Sequence, residues 1–326
     1  MFEDVLSFID RNQNFILTTH DSPDADGNGA QMVLASVLKD AGKDFRIINS
    51  DPIPESLLFL ETDFVLEEWD AEAHTPLLEN SALMIVDTAD EFHIGCMRKV
   101  LPKVKEVFVF DHHESGLRSK LAGFVDSTAS SAAEIAIELA CRMGTGLDPQ
   151  TATAAYTGIV FDSGFFAYPK TTIRTFKAAI KTLEWGADPN YVYRQLMENS
   201  TCSAILLQKH ALSNLEFHEN QKIAVLTLRK EDLEKTGAQF EDADHFVNIP
   251  LKAKEVEVSL IIKERPTGEM RCSLRSKGMV NVSKVAQEFG GGGHVTAAGF
   301  RTSLCIEKIL NKLLADMEAR LYREHI

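Results

Sequence analysis

No run of about 18 consecutive apolar residues occurs in this sequence, so nothing in it reads as a membrane-spanning helix. The opening MFEDVLSFIDRNQ does not read as a secretory leader either, being acidic and amphipathic with no basic flank. Cysteine is scarce. Cys96, Cys141, Cys202, Cys272 and Cys305 are scattered, odd in number and form no CxxC pair, which argues against a disulfide framework and a clustered-thiolate zinc site. The expectation is of reduced, mostly buried thiols in a cytoplasmic protein. Positive charge is also in deficit: 34 Lys and Arg against 48 Asp and Glu leave a net charge of −14. Proteins that coat long nucleic acid draw on many cations facing phosphates, so that class is disfavoured, while a local basic pocket for a small anion stays open. Low-complexity tracts and internal repeats are absent as well.

What is present suits two soluble domains. The chain has 326 residues, 44% apolar and 25% charged, enough for ample cores. In the N-terminal half, apolar strand candidates at 15–19 (FILTT), 45–48 (FRII), 83–86 (LMIV) and 107–110 (VFVF) alternate with amphipathic helical stretches such as 29–41 and 131–143. Continuously apolar strands separated by helices predict an α/β domain, a doubly wound parallel sheet covered on both faces. Helices follow at 173–185, 191–198 and 203–215. From 222 onward KIAVLTL, EVEVSLIIKE and EMRCSLRSK alternate with period two, as half-exposed strands do, and Arg265-Pro266-Thr267-Gly268 joins the last two as a hairpin. Helices read at 281–289 and 306–323. The expected layout is a first domain at 1–198, a linker helix at 199–218 and a smaller α+β domain at 219–326.

Three strands end in the same chemistry. FILTT runs into His20-Asp21-Ser22-Pro23-Asp24-Ala25-Asp26-Gly27, LMIV into Asp87-Thr88-Ala89-Asp90, and VFVF into Asp111-His112-His113. Each has an ordinary alternative: a turn at Asp24 and Asp26, a helix cap at Asp87, a surface accident at the two histidines. Their convergence at the carboxyl edge of one sheet, where open parallel sheets bind ligands, favours a cation site. Carboxylates with a minority of imidazoles suit Mn²⁺, or Mg²⁺ less well. Two such ions about 3.5–4 Å apart would clamp a phosphoryl group and activate water, with Asp87 the natural bridging carboxylate. Asp162, in TGIVFDSG, ends an apolar helix where its charge opposes the helix dipole. A plain helix end is the bland reading; a nearby cation would explain the acid.

Residues 290–293 are all glycine and are followed by His294 and Ala297-Ala298-Gly299. Such a run is poor helix or strand filler because glycine loses most entropy on folding. A linker is one reading, and an anion-binding concavity of backbone N–H groups is the other. Across 271–301 five cations (Arg271, Arg275, Lys277, Lys284, Arg301) face one acid, Glu288, an inversion of the chain's balance. Arg275 is the best candidate for gripping a terminal phosphate; Gly291, Gly292, Gly293 and His294 would complete the pocket. His74, His93, His210, His218, His245 and His325 lack partners at metal spacing, and Glu67-Glu68-Trp69-Asp70 reads as an exposed face.

On these residues the chain resembles the DHH phosphoesterase superfamily, RecJ-like proteins named for the triplet that stands here at 111–113. HDSPDADG, VDT, DHH and FDSG are similar to its four motifs in order, and GGGGH followed by AAG is similar to the signature of its DHH-associated substrate domain. The two-domain layout is most similar to oligoribonucleases and pAp phosphatases of the NrnA type. The resemblance implies a cytoplasmic hydrolase with two Mn²⁺, Mg²⁺ or Co²⁺ substituting. His20, Asp24 and Asp87 would hold one ion, and Asp26, Asp87, His112 and Asp162 the other. His113 would face the scissile phosphate and Asp111 would orient an imidazole as the catalytic pair. Substrates would be short oligonucleotides and mononucleotides such as pAp, with no long nucleic acid and no membrane. A cyclic-dinucleotide or pApA phosphodiesterase, and a non-catalytic nucleotide sensor, remain as alternatives. The oligomeric state stays open, a homodimer included.

Overall fold

The computed structural model describes residues 2–60, 62–113, 121–293 and 295–323. The chain divides into two compact units, 1–198 and 199–326. In the first, helix α1 (Glu3–Arg11) precedes strand β1 (Asn14–Thr18), α2 (Ala25–Asp40) and β2 (Asp44–Asn49). β3 (Leu66–Glu68), the single turn α3 (Ala71–His74), β4 (Ser81–Val86), β5 (Glu106–Asp111) and β6 (Ala122–Val125) follow. Helices α4 (Ala132–Met143), α5 (Pro149–Asp162), α6 (Ile173–Glu184) and α7 (Pro189–Met197) complete the unit.

Its six strands form a parallel sheet in the order β3-β2-β1-β4-β5-β6, the α/β class expected from the apolar runs. Successive side chains on a strand point to opposite faces, so the strands feed two cores. Phe15, Leu17, Met84, Val86, Phe108 and Phe110 pack on one side with α1, α2, α4 and α5; Ile16, Leu83, Ile85 and Val109 pack on the other. That second face is covered largely by 3₁₀ segments, Thr75–Asn80 and Gly95–Lys103, rather than by the long helices a doubly wound sheet predicts. Pro102, inside the second, removes a donor that an α-helix needs. Helix α2, expected to be amphipathic, is buried at fourteen of its sixteen positions because β1, α4 and α5 enclose it. The acidic stretch expected as an exposed face contributes edge strand β3: Glu67 ion-pairs with Arg46 of β2 and lies 3.3 Å from the buried His74.

In the second unit α8 (Cys202–Ser213) is followed by β7 (Glu216–His218), β8 (Ile223–Leu228), α9 (Lys230–Thr236), β9 (Val258–Glu264) and β10 (Met270–Ser276). Then come α10 (Val282–Gln287), β11 (Gly292–Gly293), β12 (Ala297–Thr302) and α11 (Ile306–Arg323). The sheet order is β11-β12-β10-β9-β8-β7, mixed because β8 and β9 run parallel. Helix α8, expected in the linker, buries Leu207 and Ala211 in this unit with Leu226, Phe246 and Ile261. The opposite face packs on α10 and α11 through Leu260, Cys272, Leu274, Val285 and Leu313. Being covered on both faces, β8 and β9 are buried almost throughout, and only β10 shows the expected alternation. Cys272 is buried while Cys141, Cys202 and Cys305 are exposed, so the thiols are not mostly buried. Among the described residues no helix is long and apolar enough to cross a membrane.

Phe108 stacks on Phe8 with ring centroids 4.7 Å apart. Phe108→Ala should therefore cost about 3–5 kcal/mol. Both tryptophans, Trp69 and Trp185, lie in the first unit, so the loss should appear as an earlier urea midpoint in tryptophan fluorescence. Burial pushes the Cys272 thiol up to about 12, and it should resist thiol reagents at pH 8 until the second unit unfolds, while the exposed cysteines react at once.

Candidate metal centre

The strand order of the first unit reverses between β1 and β4, and the crevice outside their carboxyl ends is where such sheets bind ligands. His20, Asp24 and Asp26 follow β1, Asp87 follows β4, and Asp111, His112 and His113 close β5. Asp162 reaches the same place as the last residue of α5.

Asp24 is the N-cap of α2: its Oδ1 accepts from the backbone N–H of Asp26 and Gly27, both at 3.0 Å. The turn reading and the ligand reading both hold for this residue, because Oδ2 stays 3.6 Å from His20 Nε2. His20 Nε2 is equally 3.6 Å from Asp87 Oδ2. His112 Nε2 lies 3.1 Å from Asp162 Oδ2, 3.3 Å from Asp87 Oδ1 and 3.7 Å from Asp26 Oδ2. Three donor groups result, His20–Asp24–Asp87, Asp26–His112–Asp162 and Asp87–Asp111–His112–His113, the ligand atoms of each within 4.8 Å of one another, and Asp87 joins or borders all three.

Asp87 adopts φ 63°, a left-handed conformation rare for a residue with a side chain. Its backbone N–H still donates to Phe110 O at 2.9 Å, so the chain leaves the ladder only after this residue. Asp26 is fully buried, and its carboxylate accepts from the N–H groups of Ala132 (2.6 Å) and Ala133 (2.9 Å) at the start of α4. Two glycines permit the approach. A Cβ at Gly158 would stand 2.9 Å from Ala133 Cβ and 3.0 Å from Asp26 Oδ1, and one at Gly27 would stand 2.4 Å from Thr19 Oγ1. Asp111 has a carboxylate oxygen within 4.8 Å of ligand atoms of Asp87, His112 and His113, but its Oδ1 is already engaged, accepting from the N–H groups of His112 (2.7 Å) and His113 (3.2 Å) and sitting 2.7 Å from His113 Nδ1.

The electrostatics are those of a cation site. Burial, with Asp87 and Asp162 alongside, pushes the Asp26 carboxyl well up, although two N–H donors favour its anion. Burial also raises Asp162. Burial opposes charge on His20 and His112, yet neighbouring carboxylates prevail and raise each to about 11, while the imidazoles hold Asp87 far down. Buried Asp87 Oδ1, His112 Nδ1 and His112 Nε2 have no hydrogen-bond partner. Orphaned donor atoms of carboxylate and imidazole type, packed where charge is poorly balanced, fit a divalent ion.

In the second unit Arg275, Gly291, Gly292 and Gly293 line one groove of about 590 Å³ with Arg271, Ser273, Ala297, Gly299 and Arg301. The glycines are not a free loop: Gly292 and Gly293 pair with Gly299 and Ala298 as β11. A Cβ at Gly291 would stand 2.2 Å from Gly299 O, which is why only glycine lies here. His294 lies outside the described residues. Sequence reasoning missed the start of α4 as the clamp on Asp26. Its signal was present in Ser131-Ala132-Ala133-Glu134, an N-cap pattern in which Ser131 accepts from the N–H of Glu134.

The profile of the DHH family, N-terminal domain, matches residues 14–159, and that of the DHHA1 domain matches 220–322. The bifunctional oligoribonuclease and PAP phosphatase NrnA of Bacillus subtilis is 28% identical over 100% of both chains. Its namesake in Thermus thermophilus is 29% identical over 87% of this chain and 82% of that protein. The crystal structure of an exopolyphosphatase-related protein from Bacteroides fragilis superimposes with a TM-score of 0.88 at 26% identity, covering 98% of this chain and 95% of the other.

Gly158→Ala should drive Asp26 from its place and lower Mn²⁺ affinity about 10–100-fold, as removal of supports behind a ligand does. Electron paramagnetic resonance of free Mn²⁺ reads this directly; unchanged affinity would contradict the packing described.

Proposed function

The chain belongs to the DHH phosphoesterase family, and from that premise we propose that it hydrolyses short oligoribonucleotides to mononucleotides and 3′-phosphoadenosine 5′-phosphate (pAp) to AMP. The observation that carries this reading is the meeting of His20, Asp24, Asp26, Asp87, His112 and Asp162 in two donor sets that adjoin at Asp87. His20, Asp24 and Asp87 would hold one divalent ion, and Asp26, His112, Asp162 and Asp87 a second, with Mn²⁺ suiting the mixed oxygen and nitrogen donors. Bound ions would supply Lewis-acid polarisation of the phosphoryl group and of the attacking water.

The remaining steps belong to the chain. Asp111 accepts from His113 at Nδ1 and raises its pKa, which favours the protonated ring that also presents Nε2–H. In that form the half-exposed side chain beside the donor cluster can bond a phosphoryl oxygen and protonate the leaving oxygen. In the second unit Arg275 and the backbone of Gly291–Gly293 would hold a non-reacting phosphate, and a short groove on an acidic chain suits short substrates.

A second reading has one specific support. The cyclic-di-AMP phosphodiesterase GdpP of Bacillus subtilis is 29% identical over 94% of this chain, although the match spans only 47% of that protein. The end-to-end match to the oligoribonuclease favours the first reading.

Purified protein should turn over pAp and a 5′-phosphorylated dinucleotide with Mn²⁺ and stop with EDTA; turnover of cyclic-di-AMP alone would select the second reading. His113→Ala should lower kcat about 10²–10⁴-fold while Mn²⁺ binding persists. His112→Ala should lose both. Equal metal affinity in the two variants would remove the division of labour.

A further inference from the structure

The groove of the second unit has an ordered floor that the glycine motif alone does not explain. Strands β10, β12 and β11 place their outward residues in rows. Arg275 is opposite Ala297 at one end, Ser273 is opposite Gly299 and then Gly292 in the middle, and Arg271 is opposite Arg301 at the other end. The middle row carries one hydroxymethyl group and two glycines, and a Cβ at Gly292 would meet nothing within 4 Å, so the floor is flat and open there.

The far row is electrostatically unbalanced. Arg271 faces Arg301 on one side and Lys263 of β9 on the other, three cations in register across three adjacent strands. Like charges directly opposite each other destabilise a sheet. One carboxylate serves the row: Asp244 pairs with Lys263, which is buried and also donates to Phe240 O at 3.1 Å, and lies 3.6 Å from Arg271. Arg301 is exposed and makes no ion pair among the described residues. Both arginines line the groove.

We propose that Arg271 and Arg301 form a second phosphate site, distinct from the one at Arg275, that takes a further backbone phosphate of an oligonucleotide. The inference rests on the phosphoesterase reading above. Four residues of β10 separate the two ends, on the order of 14 Å between Cα atoms, with a flat row between them on which a nucleoside can lie. Filling both ends takes two phosphates that are not the one cleaved. A 5′-phosphorylated trinucleotide has them; pAp has only one. The row therefore selects for oligonucleotide length, and an arginine fork meets a phosphodiester in bidentate fashion.

The test compares Arg301→Gln and Arg271→Gln with the parent chain, using fluorescence anisotropy of a labelled 5′-phosphorylated trinucleotide in EDTA and competition by pAp. The expected result is a fall of about tenfold in the ratio of trinucleotide to pAp affinity. The slope of log affinity against log salt should flatten by about 0.7 for the trinucleotide, the value for one lost contact on a single strand. The ligand-free melting temperature of Arg301→Gln should hold or rise, because a like-charge neighbour is removed. Equal weakening of both ligands, no weakening, or a lowered melting temperature would overturn the second site. A parent chain that binds neither ligand would overturn the nucleotide reading with it.

Discussion

The first unit is organised around carboxylates that must sit close together out of water. Asp26 and Asp87 are buried, and Asp162 stands beside them at the same imidazole. Like charges at such range in a low dielectric repel strongly and must be met by protons, donors or a cation. The two imidazoles answer part of that charge, their pKa values raised to about 11 by the carboxylates around them. A divalent ion offers the same compensation in a geometry that also activates water. Much of the local structure serves this cluster: the left-handed turn at Asp87, the N–H pair of α4 on Asp26, and glycines where a side chain would intrude.

The sheet supplies rigidity. Strand ends are held by ladders on both sides, so residues that leave β1, β4 and β5 start from fixed points. Adjacent residues then diverge. His112 turns inward to three carboxylates, whereas His113 is held outward by Asp111, and two neighbouring histidines acquire different chemistry from one backbone. The second unit works by subtraction. Residues of β10, β12 and β11 line a groove on one face of its sheet, and glycine keeps that face flat between arginine ends. An acidic chain thus concentrates positive potential in one groove.

Much of this was legible in the linear order. Apolar runs marked the central strands of the parallel sheet, and the residues just after three of them carried the carboxylates and imidazoles that the fold brings together. Edge strands β3 and β6 were missed, since three or four half-exposed residues carry little periodic signal. The second face is covered, as expected, but by the 3₁₀ segments 75–80 and 95–103, whose short turns carry little periodic signal. The glycine run was read as a loop, yet part of it pairs as a strand, because propensity yields where backbone must approach backbone.

The sequence by itself determined the donor types, their positions at strand ends, and the inverted charge of the region from 271 to 301, since these follow from residue identity and local spacing. Tertiary structure alone decided that His112 meets Asp26, Asp87 and Asp162. It also decided that α4 anchors Asp26, and that Arg271, Arg301 and Lys263 stand in one row. The physical reason is common to all three. Each depends on register or approach between segments distant along the chain, and such contacts are set by packing, which no local pattern encodes.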